Sequence, residues 1–316
     1  MSRLRLISAA ALAAALAAAS PAAAQTFGLA TMQPGTLNHT TGSAIAKVLK
    51  DKANMNVLVQ PTGGESVLIP LVARGEADLG IANLAEVLAA TDNGKKPGDL
   101  RLIGAIHPLR AAFFVRKDSP LKSVSDLKGK RLVWGFSAQR TLDTLSRAML
   151  ATGGVSEKDI TTVPVPNVIR GADDFAAGNT DMFFFAFGAP KVREIDATVG
   201  GIRVLELPEE GMKAAREIFP AGYLSAAKPG PFFVGLEKPM GVYTWDNMLF
   251  TSAKVKDDVV YKMLETLEAN KADLVAVQPA LREFGAENLY KQYDLPYHPG
   301  AVKFFADKKI EQKPLQ

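Results

Sequence analysis

The chain contains no cysteine, and only three of its 316 residues are histidine. The first absence excludes disulfides, thiolate metal sites and a lipidated cysteine that would tether an exported protein. The second leaves His39, His107 and His298 far apart, with no partner at the spacing a zinc site requires. Beyond residue 24 no window offers the roughly 18 uninterrupted apolar residues of a membrane span, so that part is expected to be soluble rather than membrane-inserted. An excess of one charge is also missing. Lys and Arg number 37 against 33 Asp and Glu, and no basic run is dense enough to imply nucleic acid.

What is present begins with an address. Arg3 and Arg5 precede a Leu/Ala-rich run ending in Pro21-Ala22-Ala23-Ala24, the order of a secretory signal peptide with a small-residue cleavage site. Residues 1–24 are therefore expected to be removed, leaving a mature chain from Gln25 that diffuses freely in the periplasm, without a lipid anchor. With Arg3 and Arg5 gone, 35 basic residues face 33 acidic ones. An apolar content of 47% suffices to fill two cores of ordinary size.

The pattern after Gln25 reads as α/β. Phe27 to Thr31 is an apolar strand, Gly42 to Asp51 a helix burying Ile45, Val48 and Leu49, and Asn56 to Gln60 a second strand. "PTGGES" turns into a helix ending at Gly75, and "LGIAN" follows as a third strand. The same order returns with "RLVWGF", a helix from Thr141 to Ala151, "ITTVPV", a helix near Val168 to Ala177, and "DMFFFAF". Such β-α-β-α-β runs imply parallel strands with crossover helices. "VARGEADLGIA" and "FAAGNTDMFFF" repeat one pattern in which a glycine closes a helix and an aspartate three residues on precedes a strand. The reading is two lobes with a ligand cleft between them: lobe I over 25–110, lobe II over 111–235 with Ala111 to Lys130 as the passage, and a C-terminal segment, 236–316, returning to lobe I. Asp257 to Ala286 is expected to be helical.

In parallel sheets, ligands gather beyond the carboxyl ends of the strands, where helix N-termini present free N–H groups. The loops falling there are "PGTLNHTT", "PTGGES", "NLAE", "SAQRT" and "FGAP". Thr36, Asn38 and His39 offer hydrogen-bonding groups, and Gly64 lets backbone approach a ligand closely. Helix capping is the commonest use of Thr and Asn at such places, so the case rests on five polar loops at one edge. Arg140 is a candidate two-point clamp for a carboxylate, with an exposed salt bridge as the plain alternative. Glu65 is awkward for an anion unless it serves as a first-turn acid. The run from Phe183 to Phe187 is mostly buried strand, with Phe187 as a ring for the cleft.

Catalysis finds little support. "GFSAQ" resembles the front of a nucleophile elbow, but Gln139 stands where the sharp turn needs a second glycine. "PTGGES" lacks the Gly-Lys-Ser/Thr of a P-loop. The chain reads as a binding protein, not an enzyme, and no cofactor is implied.

The segments "GTLNHTTGSAIAKVL", "TGGESVLIPLVARGEADLGIAN", "DLKGKRLVWG", "TDMFFFAFGAP", "FPAGY" and "LPYHPGAVKFF", in this order, resemble the TAXI family of solute receptors for TRAP transporters. The resemblance implies a type II periplasmic-binding-protein fold and a receptor that delivers a small organic anion, such as an amino acid, 2-oxoacid or dicarboxylate, to the subunits of an ion-gradient-driven permease. It also implies contacts at Ser66 or Glu65 after the paired glycines, at Asn83 after the "ADLG" strand, at Thr141 in the second lobe and at Tyr223 after the Pro-x-Gly turn. The departures are Asn38 and His39 where the family has aromatics, Asn83 where it has glutamine, and Gln139-Arg140 within its Gly-Ser-Gly-Thr loop. Two alternatives accompany this reading: an ABC-importer receptor like those for sulfonates or thiamine precursors, and a ligand-sensing module for a membrane sensor.

Overall fold

The computed structural model describes residues 25–315; the expected signal peptide, residues 1–24, lies outside them. The first unit is strand β1 (Thr26–Thr31), helix α1 (Leu37–Ala53), β2 (Asn56–Pro61), α2 (Glu65–Arg74) and β3 (Leu79–Asn83). Both β2 and β3 pair with β1 in parallel. Helix α1 starts five residues before the expected Gly42. Thr36 caps it by accepting the His39 N–H at 3.2 Å, which draws Asn38 to Thr41 into the first turns.

Helix α3 (Leu84–Ala90) leads to β4 (Leu100–Arg116), a strand of 17 residues. The second unit follows as β5 (Arg131–Trp134), α4 (Leu142–Thr152), β6 (Thr161–Pro164), α5 (Val168–Ala176), β7 (Phe183–Ala186), α6 (Pro190–Thr198) and β8 (Ile202–Val204). Then come α7 (Met212–Ile218), β9 (Tyr223–Ala227) and β10 (Met240–Ser252). The main sheet runs β2-β1-β3-β10-β4-β7, with β8 on β4 and β9 on β10; β5 and β6 form a parallel pair.

Two strands join the lobes. β4 pairs with β10 over Leu100 to Ala111 and then, from Ala111 to Arg116, with β7 and β8. β10 starts beside β9 and ends beside β3. The chain thus runs as unbroken strand through Arg116, where a passage from Ala111 is expected. The reason is that Ala111 to Val115 are all buried, and a continuous apolar run is what a strand covered on both faces requires.

The repeated glycine and aspartate have matching roles. Gly75 (φ 77°) and Gly178 (φ 80°) each take the left-handed conformation at or just past a helix end. Asp78 accepts the Gly28 N–H at 2.7 Å, and Asp181 accepts the Arg131 N–H at 2.8 Å. Each aspartate therefore ties the approach to a unit's third strand to the same unit's first strand.

The C-terminal helices are α8 (Asp257–Ala269), α9 (Lys271–Val277), α10 (Ala286–Leu289) and α11 (Pro299–Asp307). The expected single helical stretch is broken at Asn270 and at the 3₁₀ turn Pro279–Glu283. Val260, Met263, Leu264 and Phe304 pack with Ile45, Val48 and Leu49 of α1 in one buried cluster. Among the described residues no helix is long and apolar enough to cross a membrane.

Candidate functional site

The loops of the two lobes are bonded directly to each other. The Ser66 N–H donates to the Ala138 carbonyl at 3.1 Å, and the Arg140 N–H donates to Ser66 Oγ at 3.0 Å. Glu86 accepts the Thr141 N–H at 2.9 Å and the Ser66 hydroxyl at 2.9 Å. Farther along, Asn167 Nδ2 donates to the Gly63 carbonyl and the Lys191 N–H to the Gly35 carbonyl, both at 3.1 Å. The cleft is closed. At its tightest point a Cβ added to Gly64 would lie 2.1 Å from the Ala138 carbonyl oxygen.

Behind these contacts is a cavity of about 40 Å³. Its polar lining is Thr36, Asn38, Glu65, Asn83 and Gln139. Its apolar lining combines Met32, Leu37, Leu109 and Trp245 with Leu142, Val168, Phe184, Phe185 and Ala186 of the second lobe. Among the described residues that line it there is no lysine, arginine or histidine.

Glu65, the first residue of α2, is the cavity's one ionisable side chain and is 2% exposed. Its Oε1 accepts Asn38 Nδ2 and the Asn83 N–H, each at 2.8 Å, and its Oε2 accepts Asn83 Nδ2 at 2.5 Å. Burial, followed by the nearby Glu86 carboxyl, pushes its pKa up to about 7 despite these donors. Asn38 Oδ1 in turn accepts Asn247 Nδ2 at 2.9 Å, and that amide also reaches His107 Nε2 at 3.2 Å. His107 Nδ1 faces the Pro108 carbonyl at 2.9 Å. A carbonyl only accepts, so Nδ1 carries the proton and Nε2 is the acceptor. Burial brings the His107 pKa down to about 4, and the ring is neutral.

The predicted residues fall into three groups. Thr36, Asn38, Glu65, Asn83 and Gln139 meet around the cavity. Gly64, Ser66 and Thr141 lie at the closing seam, where the backbones of the two lobes touch. The remaining four are elsewhere. Arg140 contributes its backbone N–H to the seam while its side chain is exposed and outside the cavity lining. His39 is half-buried beside Thr31 Oγ1, 3.3 Å from its Nδ1, because its place in the first turn of α1 turns the ring away from the lining. Phe187 lies past the end of β7 and packs on Phe114 and Phe233, at 5.3 and 5.1 Å between ring centres. Its neighbours Phe184 and Phe185 reach the cavity instead. Tyr223 opens β9 opposite Thr244; burial and the charge of Asp246 push its hydroxyl up to about 12, and it too lies outside the lining.

Sequence reasoning missed Trp245, Leu109 and Glu86. Trp245 and Leu109 stand opposite each other on the two strands that cross between lobes, and a strand interior carries no loop signature. Glu86 had a faint signal, since the loop "NLAE" contains it.

A model of the NMT1-like family matches residues 29–308. The chain belongs to the NMT1-like family. That match does not extend to the narrower TAXI resemblance. Solved structures share the fold, three of them as follows. The periplasmic binding protein BugD is 14% identical, with 91% of this chain and 99% of that one covered and a TM-score of 0.58. PhnD1 from Prochlorococcus marinus, in complex with methylphosphonate, is 10% identical over 90% of this chain and 99% of that one, at 0.57. The alkanesulfonate-binding protein SsuA from Xanthomonas axonopodis pv. citri, bound to MOPS, is 17% identical over 92% and 96%, at 0.51. At these identities the likeness is one of fold, a mixed α/β type II periplasmic-binding-protein architecture.

Proposed function

We propose that this NMT1-like protein is an exported solute receptor that closes its two lobes over a small organic molecule and presents it to a membrane importer. The observation that carries the reading is the cavity behind a seam of bonds between the lobes. Ligand contacts that exist only in the closed arrangement shift an open-closed equilibrium, and a permease can read the closed face. The polar side chains around the cavity are tied to one another rather than arranged as a nucleophile with its base, which favours binding over turnover.

Two couplings are supported by different observations. SsuA is named an alkanesulfonate-binding protein, and another structural relative, 12% identical at a TM-score of 0.51, is described as the substrate-binding protein of an amino acid ABC transporter. These favour an ATP-driven importer. The ordered TAXI-like segments favour a TRAP-type permease driven by an ion gradient. Uptake in cells carrying the chain and its neighbouring permease genes separates them: dependence on ATP hydrolysis supports the first, collapse with the sodium gradient the second. Uptake unchanged by deletion of the chain would overturn both. The Arg140 side chain lies outside the cavity lining and is not in place to clamp an anion there.

The receptor reading itself is tested by a thermal-shift screen of residues 25–316 against neutral, acidic and basic metabolites. A ligand at about 100 times its Kd stabilises a one-site receptor by roughly 2.7 kcal/mol. A shift by at least one compound is expected, and none across the collection would overturn the reading.

A further inference from the structure

We propose that the cavity selects an uncharged solute with a hydrogen-bond acceptor, such as an amide oxygen or ring nitrogen, on a flat apolar body, and that Trp245, Asn38 and Gln139 are its donors. This rests on the receptor reading and adds the class of solute.

Charge is the first argument. An anion would enter a mostly apolar cavity whose lining offers no cation and one carboxyl, Glu65. A cation would compete for the Glu65 oxygens with three N–H groups at 2.5 to 2.8 Å. Burying a charge without a counter-charge costs far more than burying a paired dipole.

The second argument is which polar groups remain free. The acceptors are taken: Asn38 Oδ1 by Asn247, Asn83 Oδ1 by the Glu86 N–H at 3.1 Å, Gln139 Oε1 by the Val168 N–H at 2.9 Å, and Thr36 Oγ1 by the His39 N–H. These bonds also fix which way each amide points. Donors are left over. Asn38 Nδ2 gives one N–H to Glu65 and turns the other toward Met32 Sδ at 3.7 Å, while Gln139 Nε2, beside the Glu65 carboxyl, also lies 3.7 Å from that sulfur; a thioether is a weak acceptor. Trp245 is 1% exposed and its Nε1 has no partner among the described residues.

The third argument is where those donors come from. Asn38 belongs to the first lobe, Gln139 to the second and Trp245 to the strand β10 that joins them. One acceptor shared among them binds only when the lobes are shut. The Phe184 and Trp245 rings, 18° from parallel with centres 6.5 Å apart, supply an apolar wall for a flat body.

The test is calorimetric titration of residues 25–316 with matched triplets: benzamide, benzoate and benzylamine; nicotinamide, nicotinate and 3-(aminomethyl)pyridine; indole-3-acetamide, indole-3-acetate and tryptamine. In at least one triplet the amide is expected to bind about tenfold tighter than its acid and its amine. Trp245→Phe keeps a ring and removes the N–H; it should weaken the amide by roughly threefold to tenfold, the usual worth of one such bond. Gln139→Leu should do likewise, with the melting temperature of each free variant reported beside the affinity. A tightest-binding acid or amine would overturn the inference and leave the receptor reading standing. So would an amide whose affinity neither substitution changes. If no triplet binds, hits from the metabolite screen decide: neutral acceptors support the inference, and charged compounds or no hits at all overturn it, the last overturning the receptor reading as well.

Discussion

Thr141 of the second lobe donates its backbone N–H to Glu86 of the first at 2.9 Å, so a carboxyl from one lobe caps the start of helix α4 in the other. Thr141 makes no side-chain cap of its own there. The helix's unpaired N–H groups and the partial positive charge of its N-terminus are offered across the cleft and answered only when the lobes meet.

Removing that answer should favour the open form. Glu86→Ala takes away an acceptor shared by Thr141 and Ser66, and hydrogen bonds to charged groups are worth about 1.5 to 3 kcal/mol. Solute affinity is expected to fall tenfold or more, with a larger radius of gyration in X-ray scattering. An unchanged scattering profile together with unchanged affinity would show that the cap does not govern closure.

Gly64→Ala tests the seam by shape alone. Gly64 has φ 166°, an extended conformation open to any residue, so its backbone does not demand glycine. The obstacle is the Ala138 carbonyl oxygen, 2.1 Å from the new Cβ. Each lobe should fold normally while closure is blocked, giving a similar melting temperature without ligand and a loss of affinity of at least about tenfold, or 1.4 kcal/mol. Full affinity in this variant would mean that solute binds the open form.

Two buried groups pull stability in opposite directions with pH. The folded pKa of Glu65 is raised to about 7 from 4.5, so its contribution is full below pH 4.5 and is lost as pH rises through 7. The folded pKa of His107 is lowered to about 4 from 6.5, so its contribution is full above pH 6.5 and is lost as pH falls through 4. Between pH 4.5 and 6.5 the two offset each other. Glu65→Gln removes one side of the balance. Relative to wild type it should lose on the order of 3 kcal/mol between pH 7.5 and pH 4.5, read from urea midpoints. A difference that stays constant with pH would place the Glu65 titration elsewhere.

Asp246 of β10 and Lys291 of the C-terminal segment form a buried ion pair at 2.6 Å, and the Tyr293 hydroxyl donates to the same carboxylate at 2.6 Å. Lys291→Met leaves the carboxylate without its cation and should cost about 3 to 5 kcal/mol of unfolding free energy. Replacing both partners, Lys291→Met with Asp246→Leu, should recover much of that loss. Similar urea midpoints for the single variant and wild type would show the pair to be dispensable.

Much of this molecule was legible as pattern. The alternation of strand and helix, the repeated glycine and aspartate, and the small polar loops are local signals, because they record backbone geometry within a few residues of themselves. Asn38, Glu65, Asn83 and Gln139 come together around one cavity because helix starts and strand ends meet at one edge of the sheet. Phe187 and Arg140 could not be placed the same way. Which ring of a phenylalanine run faces a cavity, and whether an arginine beside a loop turns inward, depend on what packs behind them.

Order of elements, two-unit repetition and the polarity of the cleft edge were thus determined by the sequence alone. Only the tertiary structure decided that Trp245 and Leu109 wall the cavity, that Glu86 caps a helix of the opposite lobe, and that the cavity's single ionisable group is an acid. These depend on the register of β4 against β10 and on how one lobe meets the other, relations between residues more than fifty positions apart that no short-range pattern encodes.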